Sequence, residues 1–240
     1  MASVRTPQEA VNYAKEFVAH AAIDATNIQT RLINNAADRM WMFAPWSWTI
    51  SSLPQSTLAE DTEDYTIVDP TDVLHLVRAE INKASQNNQT HRLEVVHNLD
   101  SQTAIKGPPR AVSLVNATTL RLWPVPSGLA TADTGKLLVW YKEQRPEIVI
   151  SGASGTQVDY DNPDSLVFPD EWFWVYQELV MYYAMKFAAD PRAGSVLIDT
   201  DGNSITTRYK GQLAEAMDAL NQMATKEKLF LHNDGAGVNG

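Results

Sequence analysis

An α+β fold is what this sequence predicts, with a pair of helices at each end and strands between them. Three observations carry that reading. Apolar residues recur at spacings of three and four in residues 6–47 and again in 166–228. Residues 48–165 instead alternate in period two, or run β-branched between Pro and Gly turns. No internal repeat is visible that would turn these segments into a solenoid.

The first helix is announced by its cap. In "TPQEAVNYAKEFVAHAA", Thr6 stands at the N-cap, Pro7 at the first helical position and Glu9 at the capping-box position. Val11, Ala14, Val18 and Ala21 form one apolar stripe, with Phe17 alongside. A second helix follows at once, since Ile28, Leu32, Ala36 and Met40 repeat every four residues and Asp24 or Thr26 can cap its start. The short join predicts an antiparallel pair. That helix stops in "RMWMFAPWSWT", where Pro45 stands among Trp41, Phe43, Trp46 and Trp48. These residues, Trp41, Pro45, Trp46 and Trp48, are read as a structural hinge, a plug that wedges the strand region against the helices; an exposed partner patch and a stacking platform for sugars or bases are the other readings.

The middle contains "SWTISSL", "DYTIVDP", "DVLHLVRAEI" and "HRLEVVHN", then "AVSLVNATTLRLWPVPSG" and "KLLVWYKEQRPEIVI", separated by Pro- and Gly-bearing turns. An antiparallel β domain is expected. Helical grammar returns in "FPDEWFWVYQELVMYYAMKFAAD", opened by Pro169, Asp170 and Glu171 where the helix dipole favours negative charge. Its apolar residues cover most of its circumference, so it must be buried on several sides. After "DPRAGSVLIDTDGN" a last helix is marked by Tyr209, Leu213, Ala216, Leu220 and Met223. Each helix has a face that must leave water, so the four are expected to close as a bundle with the β domain inserted. The expected organisation is 1–47 and 166–228 for the bundle, 48–165 for the β domain, and a loose Gly- and Asn-rich arm over 229–240.

Composition narrows the function. The chain has 240 residues, 44% hydrophobic and 20% charged, enough for a sizeable core. It has no cysteine, which excludes disulfide staples, thiolate metal sites and a cysteine nucleophile. The opening residues lack the pattern of a secretory leader and no window is apolar enough to span a membrane, so a soluble, unexported chain is expected. Net charge is −10, from 29 acidic and 19 basic side chains, and no basic run offers a track for a phosphate backbone. The acidic groups Glu60, Asp61, Glu63 and Asp64, and Asp159, Asp161 and Asp164, read as solvated loops rather than a carboxylate metal site.

Catalytic motifs are missing. Histidines stand at 20, 75, 91, 97 and 232, with no pair at helical metal spacing; His91 and His97 on one strand would lie about 20 Å apart. No nucleophile elbow, phosphate loop or zinc-protease helix is present, and "SGASG" at 151–155 reads as a loop. "DTDGN" at 199–203 misplaces the glycine and final glutamate of a calcium loop, and reads as a turn into the last helix capped by Asn203 or Ser204. The sequons at Asn88 and Asn116 mean little without an export signal. A carboxylate pair such as Glu143 and Glu171 is recommended by nothing. The chain is expected not to be an enzyme, and to use no cofactor or metal.

Four segments carry a resemblance. "RLINNAADRMWMFAPWSW", "LRLWPVPSG" with "KLLVWYKEQRPEI", "LVFPDEWFWVYQELVMYYAMKFAAD" and "YKGQLAEAMDAL" are similar in order and character to the head-to-tail adaptor, or head-completion, proteins of tailed bacteriophages, the short-tailed type above all. The resemblance implies a structural virion protein, assembled in the host cytoplasm into a ring, usually of twelve copies. That ring docks beneath the portal protein and above a downstream tail protein, nozzle or tube, and DNA passes through its lumen without specific binding. It also implies a carboxy-terminal arm to the portal, here Leu229, Phe230, Leu231 and His232. The alternatives are another tail component, a terminator, stopper or tube protein, or a carbohydrate-binding module using Trp48, Trp123 or Trp140 as platforms.

Overall fold

A computed structural model gives the fold. The structure describes residues 5–18, 21–67, 73–83, 89–99, 105–128, 135–150, 158–162, 166, 168–194, 196–200 and 206–233. In chain order the elements are α1 (Pro7–Phe17), α2 (Thr26–Phe43), β1 (Ile50–Ser52), β2 (Ser56–Thr57), β3 (Asp64–Thr66), β4 (Val73–Lys83), β5 (Gln89–Val95), β6 (Lys106–Gly107), β7 (Ala111–Asn116), β8 (Thr119–Trp123), β9 (Val125–Pro126), β10 (Lys136–Glu143), β11 (Ile148–Val149), β12 (Val158–Asp159), α3 (Phe173–Phe187), β13 (Val196–Thr200), β14 (Thr206–Lys210) and α4 (Gln212–Asn233). The fold is α+β. It divides into two compact units, Met1–Trp48 with Arg145–Gly240, and Thr49–Gln144.

The first unit is helical and is made from both ends of the chain. α1 starts as its sequence requires: the backbone N–H of Glu9 donates to the Thr6 hydroxyl at 3.2 Å, and Pro7 occupies the first turn. α2 starts differently. Ala25 holds its N-cap position without a side-chain bond, so neither Asp24 nor Thr26 caps it; Asp24 instead pairs with Lys15 at 2.9 Å. α3 buries Phe173, Val175, Tyr176, Leu179, Val180, Met181, Ala184 and Met185 because α1, α2 and α4 all pack against it. One apolar core joins the four helices, from Ala10, Val11 and Ala14 through Ile33, Ala36 and Met40 to Ala216, Leu220 and Met223.

The ends of α3 and α4 depart from the sequence reading. α3 closes with Ala189 at φ 54° and the Asp190 N–H bonded to the Met185 carbonyl, a left-handed cap of the kind usually given to glycine. The segment after it is an antiparallel hairpin, β13 with β14, where a turn and helix were expected. Tyr209 therefore pairs with Leu197 in a strand and does not begin the last helical stripe. Its spacing to Leu213 mimicked a helical repeat because five-residue strands are too short to show their own period. α4 runs on to Asn233, so the backbone at Leu229, Phe230, Leu231 and His232 is helical, while their side chains and residues 234–240 lie outside the described part. Asn203, Ser204 and residues 151–155 also lie outside it.

The division at Gln144/Arg145 comes well before the change in sequence pattern near 165. The intervening chain carries Ile148 and Tyr160 into the helical core, and β11 pairs with β12 beside them.

The second unit is an eight-stranded sheet in the order β1-β10-β4-β5-β7-β8-β3, with β2 also on β10. The expected antiparallel domain is corrected to a mixed one: β5 and β7 pair in parallel, as do β6 and β9. β5 cannot turn back directly into β7, because residues 96–110 intervene and carry β6 as a crossover. The sheet curls, since Leu53 and Val139 from one edge and Ile67 and Leu120 from the other line a single pocket of about 130 Å³. Its interior is a second apolar core, which includes Leu58, Ile81, Leu93, Val112, Leu122, Leu137 and Val139.

Candidate functional site

α2 ends where Ala44 turns extended ahead of Pro45, a residue that disfavours helix in its neighbour. The indole N–H of Trp46 then folds back to the Met40 carbonyl at 2.6 Å, satisfying one of the acceptors that a helix end leaves open. Trp46 is 1% exposed. It stacks on Trp48 at 6.0 Å and on Phe43 at 6.2 Å, and Trp48 meets Trp41 edge to face at 5.4 Å. Trp48 also touches Phe168, which reaches Tyr176 of α3 at 5.4 Å. Trp41, Trp46 and Trp48 are thus part of one aromatic chain from the end of α2 to α3. A void of about 10 Å³ beside Trp41 and Trp48 is too small for a ligand.

A polar clamp lies on the same helix. The Asn34 amide N–H donates to the Thr30 and Ile148 carbonyls at 2.9 and 2.7 Å, and its oxygen accepts from the Ile148 N–H at 3.0 Å and the Arg145 guanidinium at 2.8 Å. Arg145 also pairs with Asp38 at 2.7 Å. Asn34 treats Ile148 as a strand partner would, and thereby fixes the chain where it returns to the helical unit. Nearby, the Tyr160 hydroxyl donates to Gln29 and the Tyr176 hydroxyl to the Ile33 carbonyl, both at 3.2 Å. Burial pushes the Tyr160 phenol up to about 12 and that of Tyr176 higher still. The sequence reading noticed this stretch only as Asn-bearing; which of its asparagines faces the core depends on the returning strand.

Where α1, α3 and α4 meet, the Glu178 carboxylate accepts from the buried Gln212 side chain. Burial raises the Glu178 carboxyl, the Gln212 bond works against that, and Glu215 adds to it. Among the described residues no cluster of His, Asp and Glu could hold a metal ion, and no helix is long and apolar enough to cross a membrane.

The remaining sequence candidates fall as follows. Glu143 lies in the β unit beside Ser51 and Glu171 in the helical unit, so the carboxylate pair is divided between two units. The three tryptophans weighed as sugar platforms are committed elsewhere or covered: Trp48 is stacked, Trp140 carries the Arg78 guanidinium 5.1 Å from its ring centre, and the Trp123 indole nitrogen is buried. Asp61 and Asp64 of the acidic loop are paired with Lys106 and Arg121. His75 and His97 line one cavity of the β unit, a meeting the sequence reading missed because it compared histidines along one strand rather than across two.

With this arrangement in view, the family model for the SU10 adaptor protein matches residues 8–231. The chain belongs to the SU10 adaptor protein family. It is a bacteriophage adaptor, a structural component of the virion, from a family whose members interact with portal and tail components and are not normally enzymes. No curated protein matches the sequence. The match begins in α1, spans both units and ends in α4, so the adaptor assignment covers the helical core and the β unit together.

Proposed function

We propose that the chain is a head-to-tail adaptor that docks beneath the portal and joins the capsid to the next tail component, nozzle or tube, as a dodecameric ring around the DNA channel. The observation that carries this reading is the family match over 8–231, which spans a core built from both chain ends. In this reading the helical unit is a four-helix bundle that packs side by side with its copies, and the β unit is the domain inserted into it. Exposed Met42, Trp174 and Phe187 supply apolar ground for such neighbours. The residues Trp41, Pro45, Trp46 and Trp48 serve as the hinge at which helix hands over to strand. The end of α4, with Leu229, Phe230, Leu231 and His232, reaches the portal. A net charge of −10 keeps the wall of the channel from holding DNA.

The test is the position of the chain in intact particles, with portal binding measured for the full chain and for a chain ending at 228. The expected results are density at the head-tail junction and loss of portal binding on truncation, with helix content otherwise kept. Density in the tail tube, or undiminished portal binding by the truncated chain, counts against the proposal. Filter binding of duplex DNA by the assembled ring at low salt is expected to stay weak, and submicromolar retention would remove the conduit reading.

A further inference from the structure

β4 outruns one of its two neighbours. Its ladder with β5 extends only from Lys83↔Gln89 to Ala79↔Leu93, whereas its ladder with β10 continues to Glu143↔Val73. Past Leu93 the fifth strand turns to β7 instead, through Glu94↔Ala111 and Val95↔Val112. The first half of β4 therefore forms one arm of a fork. Here it also carries two extra residues against β10: Arg78 and Leu76 face the consecutive Trp140 and Tyr141, and His75 and Val73 face the consecutive Lys142 and Glu143. Such bulges bend a strand and re-aim its side chains. Leu74, one of the extra residues, is left 38% exposed.

The fork holds a cavity of about 160 Å³, lined by Leu74, His75 and Leu76 on one side and Val95, Val96 and His97 on the other, with Leu114 of β7. Two histidines line it, and a lysine neighbours one of them. His75 comes from β4, His97 from just beyond β5, and Lys142 of β10 stands opposite His75 in the ladder. Lys142 is 2% exposed, and burial lowers its ammonium to about 8, so most of it is still charged at neutral pH. Burial holds His75 below the ordinary imidazole value, and the charges of Lys142 and His97 add to this. A chain of net charge −10 here sets two imidazoles, with a buried ammonium beside one of them, in a pocket walled by leucine and valine.

We propose that this fork is a docking site for an extended segment of a partner protein, which sets a carboxylate between His75 and His97 and lays apolar side chains against Leu74 and Leu114. An extended segment suits the site because the first half of β4 lies beyond its ladder with β5, and strand addition couples backbone bonds to alternate side-chain pockets. The apolar walls favour a protein segment over free phosphate, and the lack of a basic track disfavours nucleic acid. A bound carboxylate stabilises the imidazolium form, so binding takes up protons. Affinity rises as the pH falls through the imidazole range, until the carboxylate itself protonates. The proposal rests on the adaptor reading for the existence of a protein partner.

The experiment uses the full chain and the peptide Ac-Val-Asp-Leu-Glu-Val-NH2, with its Asn/Gln analogue, inorganic phosphate and a short DNA duplex as separate arms. Binding is followed by fluorescence anisotropy and by the imidazole NMR resonances. The acidic peptide is expected to bind about tenfold tighter at pH 6 than at pH 8, to move the His75 and His97 resonances, and to lose about tenfold in the His75→Gln/His97→Gln double variant. The amide analogue should bind no better than that variant does. Should the double variant fold poorly, His97→Ala, which lies beyond the strand, carries the same test. Equal binding of acid and amide peptides, an unchanged Kd in the variants, or equal competition by phosphate or duplex overturns the proposal. Absence of the chain from purified particles would end the adaptor reading while leaving the peptide result intact, and failure of the peptide arms in a chain found at the junction would end only the docking site.

Discussion

The helical unit is assembled from two stretches of chain, 1–48 and 145–240, whereas the β unit is one uninterrupted stretch, 49–144. In the helical unit the largest fully buried groups, among them Trp46, Ile33, Met40, Ile148, Tyr176 and Leu179, come from distant parts of the sequence and meet around α3. In the β unit the corresponding groups are Leu58, Ile81, Leu122 and Leu137, held by ladders between strands, and Lys142 is buried with them. The difference teaches that the first unit depends on closing a long loop and the second does not. Loop closure costs entropy that long-range contacts must recover. The aromatic chain from Trp41 to Tyr176 and the Asn34 clamp supply such contacts, and both sit where the loop enters and returns.

Removing residues 1–48 gives the sharpest break between the units. It deletes α1 and α2, so α3 and α4 are expected to lose hydrogen-exchange protection while β4, β5 and β10 keep theirs. Protection that survives in α3 would mean the core does not need both chain ends. Next in size, Tyr176→Ala removes a ring packed on Phe168 and Phe173 and a hydroxyl bonded to α2. It should cost the helical unit about 4 kcal/mol in denaturant titrations and leave the β unit's transition in place. Asn34→Leu should cost about 3 kcal/mol, also in the helical unit alone, because it strands the buried Ile148 backbone groups and leaves the Arg145 guanidinium with Asp38 but without its amide partner. A loss below about 1 kcal/mol would show the clamp to be dispensable.

A gain is expected at the end of α3. Ala189 holds φ 54°, a conformation costly for a side chain bearing Cβ, so Ala189→Gly should stabilise the helical unit by about 0.5–1 kcal/mol, seen as a higher Tm. The smallest effect is on pH dependence. Glu178 has its carboxyl raised by burial, so the folded state favours the protonated form; the stability this contributes is present below the ordinary carboxylate value and lost as the pH rises through the raised one. The helical unit should therefore soften slightly over that range, and Glu178→Gln should flatten the slope. An unchanged slope in the variant would assign it to another group.

Parts of this were legible because the signal was local. Thr6, Pro7 and Glu9 act on neighbours in sequence, and the apolar surround of α3 states its burial without reference to a partner. The hairpin of β13 and β14 was not legible, since Tyr209 and Leu213 share a helical spacing across a strand end and a helix start. The parallel pairing of β5 with β7 was hidden for a related reason: alternation marks a strand but carries no direction for its neighbour. Trp46 and Trp48 stood out by residue type, whereas Asn34 is one of two adjacent asparagines, and only the return of the chain at Arg145 and Ile148 completes its four hydrogen bonds.

By itself the sequence determined the α+β class, the helices at either end of a strand-rich middle, the start of α1 and the absence of thiolate chemistry. Each of these follows from residue type, periodicity or short spacing, which the chain carries before it folds. The tertiary structure decided that Asn34 would grip Ile148, that the sheet would be mixed and curled, and that His75 and His97 would share a cavity. Those outcomes depend on strand register and on which segments pack together, and register is set by the summed burial of whole faces rather than by any stretch of residues read alone.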